Sequence, residues 1–386
     1  MTDQPRDPAT EVHRVADPSA TRVASYLAHR DEVSRVLLLY SGGLDTSVML
    51  KWIQDEYEAE VVALTVNLGQ PGEDYEVVKG KALQLGALDC HVVDAREEFA
   101  REYVLPAIKA NADYGDGYPL FTALGRPLIA KLAVDYARRT GCDTIAHGCT
   151  GKGNDQVRIE GTVATLAPEL KVIAPVRSWA MGRDEEIAYA RKHGIPVKGG
   201  TEAAPYSIDD NLWGRSSEGK WIEDLLHAPD DDVFQLVTRP ELAPDEAEVV
   251  TVGFEAGVPV SLDGERLEPV ALIDRAAEIG MRHGVGIVDH IEDRIVGLKV
   301  RDIYEVPAAA ILLKAHRELE RLTGTIGLRL FKGSVRVVTR ESPNAVYDAQ
   351  LATFAESGGL FSQQASPGFI ELWSLQSRMA RRLREG

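Results

Sequence analysis

The unbroken apolar run Val36-Leu37-Leu38-Leu39-Tyr40 leads directly into Ser41-Gly42-Gly43 and then into a stretch that reads as a helix. A strand with no polar alternation must be covered on both faces, which is the condition of a central strand in a parallel sheet. The same alternation then recurs. Residues 61–66, 91–94, 144–147 and 172–175 read as extended, with helical patterns at 76–85 and 126–139 between them. Strands separated by helices at this spacing imply right-handed crossovers and an open, mostly parallel sheet with helices on both sides. Ligands of such α/β sheets bind at the carboxyl ends of the strands.

Beyond residue 199 the pattern changes to paired extended segments, 249–254 with 258–262 and 286–290 with 294–299, accompanied by helices at 269–281 and 308–321. That half reads as α+β. Segments 326–331 and 335–339 form a hairpin about Lys332-Gly333, and 368–383 closes the chain as one amphipathic helix. The expected organisation is an N-terminal extension at 1–34 with a short amphipathic stretch near 20–29, a nucleotide-binding domain at 35–198, an α+β domain at 199–365, and a C-terminal helix at 366–386.

Charge narrows the partners. With 43 Lys and Arg against 60 Asp and Glu, the net charge of −17 opposes a phosphate backbone, and no local basic patch offsets it. Nucleic-acid binding is therefore not expected. No apolar run approaches the roughly 18 residues of a membrane span, and the first thirty residues lack a signal-peptide pattern. Cys90, Cys142 and Cys149 form no C-x-x-C pair. Three reduced thiols in a cytoplasmic protein are expected, with no metal site.

Ser41-Gly42-Gly43-Leu44-Asp45-Thr46-Ser47 lies between the first strand and its helix, where backbone N–H groups and the helix dipole hold an anion. Glycines allow close approach, and the hydroxyls of Ser41, Thr46 and Ser47 add donors. The loop lacks the lysine of G-x-x-x-x-G-K-[ST], which favours holding a departing pyrophosphate over γ-phosphoryl transfer. The string in its strand-turn-helix setting resembles the pyrophosphate loop of the ATP pyrophosphatase superfamily (adenine nucleotide alpha hydrolase-like), whose members adenylate an oxygen.

A second string, His147-Gly148-Cys149-Thr150-Gly151-Lys152-Gly153-Asn154-Asp155-Gln156-Val157-Arg158, reads as a Gly-rich loop followed by a polar cluster. Backbone N–H groups and Thr150 suit a carboxylate, Asn154 and Asp155 suit an ammonium or ureido nitrogen, and Arg158 suits a bidentate anion clamp. As a whole it resembles the H-G-x-T-G-K-G-N-D-Q-V-R-x-E signature of the argininosuccinate synthase family. The resemblance extends through Tyr118-Pro119-Leu120, Arg126 to Lys131, Pro205-Tyr206-Ser207, Ser216, Arg282 to Gly286 and Glu292 to Tyr304.

That resemblance implies a ligase that condenses citrulline with aspartate, driven by cleavage of ATP to AMP and pyrophosphate, with magnesium accompanying the ATP. Leu39, Tyr40, Ser41, Gly42, Gly43, Leu44, Asp45, Thr46 and Ser47 would bind the nucleotide phosphates, Val66 the adenine through its backbone, and Gly148 would also line this site. Thr150, Asn154 and Asp155 would hold aspartate. Tyr118, Arg126, Asn154, Arg158, Ser207, Ser216, Glu292 and Tyr304 would hold citrulline, with Arg126 and Arg158 at its anionic end and Glu292 at its ammonium. Asp45, Asn154 and Asp155 are the expected catalytic set. His147 and His283 read as structural groups.

Two departures stand out. Between Thr323 and Gly324 the family carries several tens of further residues that contribute to subunit packing, so a dimer stands beside the family's tetramer as the expected homo-oligomer. Around Tyr304 the family reads roughly K-S-R-G-x-Y-E-x-P-G, whereas this chain has Val300, Asp302 and Ala308 at the altered positions. Phe121 and Ala123 depart in the same way beside Tyr118. These changes fall on the acceptor side and leave a further reading, a relative that adenylates another ureido, carbamoyl or amide group, while the missing segment leaves another, a non-catalytic nucleotide sensor.

Overall fold

A computed structural model describes residues 28, 30–115, 117–179, 181–196, 206–295, 297–320, 322–344 and 366–385. The 1–34 extension, with its amphipathic stretch, lies almost wholly outside them. The chain divides into two compact units, Met1–Arg340 and Glu341–Gly386.

In the first unit, β1 (Arg35–Leu39), β2 (Glu60–Asn67), β3 (Asp89–Asp94), β4 (Thr144–Ala146) and β5 (Lys171–Ile173) form a parallel sheet in the order β3-β2-β1-β4-β5. The apolar run of β1 explains its central place. Leu37 faces one core while Val36 and Leu38 face another, and all three are fully buried. Helices α1 (Leu44–Tyr57), α2 (Tyr75–Gln84), α3 (Arg96–Phe99), α4 (Leu105–Lys109), α5 (Phe121–Thr140) and α6 (Asp155–Leu166) fill the crossovers, and α7 (Arg183–Lys192) follows β5. Of these, the short α3 and α4 and the longer α6 and α7 were not expected. The Gly-rich string passes into a helix at Asp155, and α7 has the strongly polar composition of a solvated helix, which hides its period.

The remaining elements form two sheets. One runs β10-β9-β8-β13-β14, from β8 (Glu248–Glu255), β9 (Val258–Leu262), β10 (Glu265–Arg266), β13 (Gly324–Phe331) and β14 (Ser334–Glu341). Buried apolar residues of β8 and β13 pack there with α8 (Pro269–Arg282) and α9 (Pro307–Leu319) in one core. The other sheet runs β11-β12-β7-β6, from β6 (Ser207–Asn211), β7 (Gly214–Glu218), β11 (Ile287–Asp293) and β12 (Lys299–Glu305). Expecting a strand at 294–299 was wrong by one turn. Arg294 N–H donates to Leu298 O at 2.7 Å and Gly297 takes φ +87°, so those residues reverse the chain and the strand begins at Lys299.

In the second unit, the single helix expected at 368–383 is two, α10 (Ser366–Trp373) and α11 (Leu375–Glu385). Ser374 separates them, its hydroxyl donating back to Glu371 O at 3.2 Å. No helix among the described residues is long and apolar enough to cross a membrane.

Candidate active site

A cavity of about 450 Å³ opens at the carboxyl ends of β1, β2 and β4 and is closed by residues of the β11-β12-β7-β6 sheet. Leu39, Tyr40 and Ser41 enter it from the end of β1, Val66 from β2, and His147, Gly148 and Cys149 from the end of β4.

The loop after β1 is held from behind. Thr65 Oγ1 donates to Tyr40 O at 2.7 Å, and Lys81 Nζ donates to Gly42 O at 2.8 Å. Buried Ser47 donates to Gly43 O at 2.6 Å and meets the Tyr40 hydroxyl at 3.1 Å, so it braces the turn. Gly42 takes φ +77°, and a Cβ there would sit 2.9 Å from Val78 Cγ2. Ser41 and Thr46 join through their hydroxyls at 3.1 Å. No side chain caps α1, so its N-terminal N–H groups and dipole point where an anion binds.

The loop after β4 hangs on a buried chain of polar groups. His147 Nδ1 accepts from Cys149 N–H at 3.2 Å, which places the ring hydrogen on Nε2, 3.1 Å from Glu160 Oε1. Glu160 pairs with Arg177 at 2.8 Å, and Arg177 donates to Gln156 at 3.0 Å. Gln156 Nε2 in turn holds Gly151 O at 2.7 Å and Gly153 O at 3.2 Å. Burial pushes the Glu160 carboxyl up, but His147 and Arg177 outweigh it and hold it below the usual range.

Asp155 opens α6 and divides its oxygens between two arginines. Arg126 Nε donates to one at 2.8 Å and Arg158 Nη1 to the other at 2.7 Å. Burial raises this carboxyl, yet the two guanidiniums together hold it below the ordinary carboxylate range. Arg126 also pairs with Asp209 of β6. Arg158 reaches Thr122 Oγ1 at 3.2 Å, and Thr122 meets the Tyr118 hydroxyl at 2.5 Å.

The sheet that closes the cavity presents one polar face, because residues two apart on a strand, and their partners directly across the ladder, share a side. Ser207 opposes Glu218 and Asp209 opposes Ser216; Tyr304 opposes Ser216 from the other flank, and His290 opposes Asp302. Tyr304 donates to Glu292 Oε2 at 2.8 Å. Arg294 meets Glu292 and Asp302 at 3.1 Å each and Glu218 at 3.2 Å.

The structure thus gathers Leu39, Tyr40, Ser41, Val66, Arg126, Gly148, Asp155, Arg158, Ser207, Ser216, Glu292 and Tyr304 around one cavity. Tyr118 and Asn154 line a neighbouring one of about 330 Å³, which shares Arg158, Glu292 and Arg294 with the first. Asn154 is tied to the turn after β11, donating to Asp293 O at 3.1 Å and accepting from Ile295 N–H at 2.7 Å. Gly42 and Gly43 form the turn after Ser41 and Leu44 to Ser47 open α1, none of them lining either cavity, and exposed Thr150 lines neither space. Asp302, expected on the acceptor side as a departure from the family, lines the cavity, whereas sequence reasoning missed Thr122, Asp209, Glu218 and Arg294 as parts of the wall. The period-two spacing of Ser207 with Asp209, and of Ser216 with Glu218, was the available signal.

Comparison with known proteins settles the family. The family described as "Arginosuccinate synthase N-terminal HUP domain" matches residues 35–196, and "Arginosuccinate synthase C-terminal domain" matches 206–325 and 320–380. This chain belongs to the argininosuccinate synthase family. It is 52% identical over 389 residues to argininosuccinate synthase from Rubrobacter xylanophilus, covering 89% of this chain and 94% of that one. The argininosuccinate synthases of Symbiobacterium thermophilum, 46% identical over 390 residues, and Chlorobium phaeobacteroides, 47% over 387, align to 89% and 88% of this chain and to 97% and 96% of their own. The argininosuccinate synthase C-terminal match comes in two pieces that meet at 320–325, where this chain passes from α9 to β13 with Glu320 at φ +52°. The missing residues expected between Thr323 and Gly324 fall at this short link.

Proposed function

We propose that this chain is an AMP-forming carbon–nitrogen ligase that condenses citrulline with aspartate to argininosuccinate in arginine biosynthesis. One observation supports this most. Two arginines, Arg126 and Arg158, and the carboxylate of Glu292 line the same cavity as the end of β1 and its phosphate loop, so a zwitterionic amino acid can be held by both ends beside a nucleotide.

Leu39 to Ser47 would hold the ATP phosphates, Val66 the adenine, and Gly148 the edge of that site. The ureido oxygen of citrulline attacks the α-phosphorus, pyrophosphate leaves, and a citrullyl-adenylate remains. The amine of aspartate, held by Thr150, Asn154 and Asp155, then attacks the ureido carbon, loses its proton and expels AMP. Tyr118, Arg126, Asn154, Arg158, Ser207, Ser216, Glu292 and Tyr304 would orient citrulline, so that catalysis comes from positioning and charge stabilisation.

Among the described residues no group of three or more His, Cys, Asp or Glu gathers as a metal site. Magnesium would therefore arrive on the triphosphate, with Asp45, the one carboxylate of loop 41–47, beside it. Bound there, it would neutralise charge on the leaving pyrophosphate. We assign 35–198 to ATP binding, 199–365 to substrate binding and 366–386 to subunit contacts in a homo-oligomer, dimer or tetramer, of the cytoplasm.

The test is pyrophosphate release with ATP, magnesium and aspartate, with and without citrulline, using Asp155→Ala as control. Citrulline-dependent release that the control lacks, with argininosuccinate identified by mass, is the expected result. Nucleotide binding without such release sinks the reading.

A further inference from the structure

Asp302 stands where the charges of the acceptor wall do not balance. Arg126 and Arg158 are matched by Asp155 and Asp209. The neighbouring Arg294 faces three carboxyls, Glu218 from β7, Glu292 from β11 and Asp302 from β12. The wall therefore carries two negative charges beyond its cations. The ammonium of a bound amino acid accounts for one.

Hydrogen-bond counting locates the other. Tyr304 Oη lies 2.8 Å from Glu292 Oε2 and 3.1 Å from Asp302 Oδ2, yet a phenol has one hydrogen to give. If Tyr304 donates to Glu292, the contact with Asp302 is a bond only when Asp302 supplies the hydrogen. Asp302 is 3% exposed, and its other oxygen, Oδ1, is buried with no hydrogen-bond partner among the described residues. A buried carboxylate with an unpartnered oxygen is costly, and a neutral carboxyl in the same place costs much less.

We propose that Asp302 is a specificity-determining positioning residue of the acceptor pocket, a neutral acid that donates to Tyr304 in one state and an added negative charge beside Glu292 in the other, so that the grip on the acceptor's cationic end strengthens when Asp302 ionises. The inference rests on the ligase reading above. Ionisation releases one proton to solvent, breaks the Asp302-to-Tyr304 bond and leaves the Tyr304-to-Glu292 bond in place.

The groups that face Asp302 agree on where this happens. Burial pushes its carboxyl up to about 7, Glu218 and Glu292 add to the rise, and Arg294 opposes it. Glu218 is itself raised, by burial and by Asp155, but its side chain is 45% exposed against 5% for Asp302, so the proton resides on Asp302. His290 lies across the ladder from Asp302, and Asp155 and Arg158 line the same cavity.

The test is the KM for citrulline and for aspartate from about pH 6 to about pH 8, in wild type, Asp302→Asn and Glu218→Gln. In wild type the citrulline KM falls by about three- to tenfold as pH rises, the size expected of one charge in a partly solvated pocket. In Asp302→Asn that fall is absent. In Glu218→Gln the fall remains but moves to lower pH, because one neighbouring negative charge is gone. The pH dependence of the aspartate KM stays as in wild type throughout. A citrulline KM that falls equally in Asp302→Asn, or is flat in wild type, overturns the inference while leaving the ligase reading intact. Wild type with no citrulline-dependent pyrophosphate release overturns both.

Discussion

Tyr118 and Tyr304 stack with ring centroids 4.6 Å apart and planes 17° from parallel. The stack joins the segment ahead of α5 to the sheet that closes the cavity, and Phe121 packs edge-on against both rings. The hydroxyls diverge from it, Tyr118 toward Thr122 and Tyr304 toward Glu292. Ring and hydroxyl therefore do separate work. Tyr304→Phe keeps the stack and removes the hydrogen bond that orients Glu292, so the citrulline KM should rise by about three- to tenfold with kcat nearly unchanged. Steady-state pyrophosphate release measures this. A rise confined to the aspartate KM would contradict the assignment of Glu292 to citrulline.

Asp155 is the shared partner of Arg126 and Arg158, so its loss is felt at both ends of its bridge. Asp155→Asn removes the negative charge that two half-buried guanidiniums lean on, and kcat/KM should fall by at least about a hundredfold, the scale of breaking a desolvated charge pair. Nucleotide affinity should change by less than about threefold, since loop 41–47 takes no bond from Asp155. Equilibrium binding of ATP beside the kinetic assay separates the two effects.

Gly42 gives the phosphate loop two things at once, a backbone with φ +77° and room for Val78. Gly42→Ala places a methyl 2.9 Å from Val78 Cγ2 in a conformation that costs an L-residue about 1 to 2 kcal/mol. The ATP KM should rise by about tenfold or more. Adding Val78→Ala removes the contact and leaves the dihedral strain, so rescue should be partial. Full rescue would show that the clash alone mattered.

Much of this arrangement was legible in the chain. The buried run at 36–40 and the Ser41-to-Ser47 turn identify a central parallel strand and its anion loop, because both follow from local rules of burial and glycine conformation. Asp302, Glu218 and Arg294 were not legible as a group. They lie on β12, on β7 and just past β11, and only strand pairing brings them together. The turn at 294–298 hid that pairing, since Ile295 and Leu298 read as strand residues while Gly297 at φ +87° makes the reversal. Likewise, Asn154 reads as a substrate-facing polar residue, and the chain alone does not show that one donor and one acceptor of its amide are held by the backbone around Arg294, a contact across 139 positions of sequence.

Glu160 offers a test of stability as well as function. Its carboxyl is held below the ordinary range because His147 and Arg177 outweigh the burial that raises it. A group depressed in the folded state stabilises the fold above its unfolded pKa of about 4.3, and that contribution fades as pH falls through the lower folded value. Glu160→Gln should therefore lower the melting temperature by about 2 to 6 °C near neutral pH, with the gap to wild type closing below about pH 4. Thermal unfolding at several pH values reads this directly. The same change loosens the chain from His147 through Arg177 to Gln156, which holds the carbonyls of Gly151 and Gly153. If that chain shapes the aspartate loop, the aspartate KM rises more than the citrulline KM. A melting difference that does not vary with pH would instead make Glu160 a packing residue whose charge is immaterial.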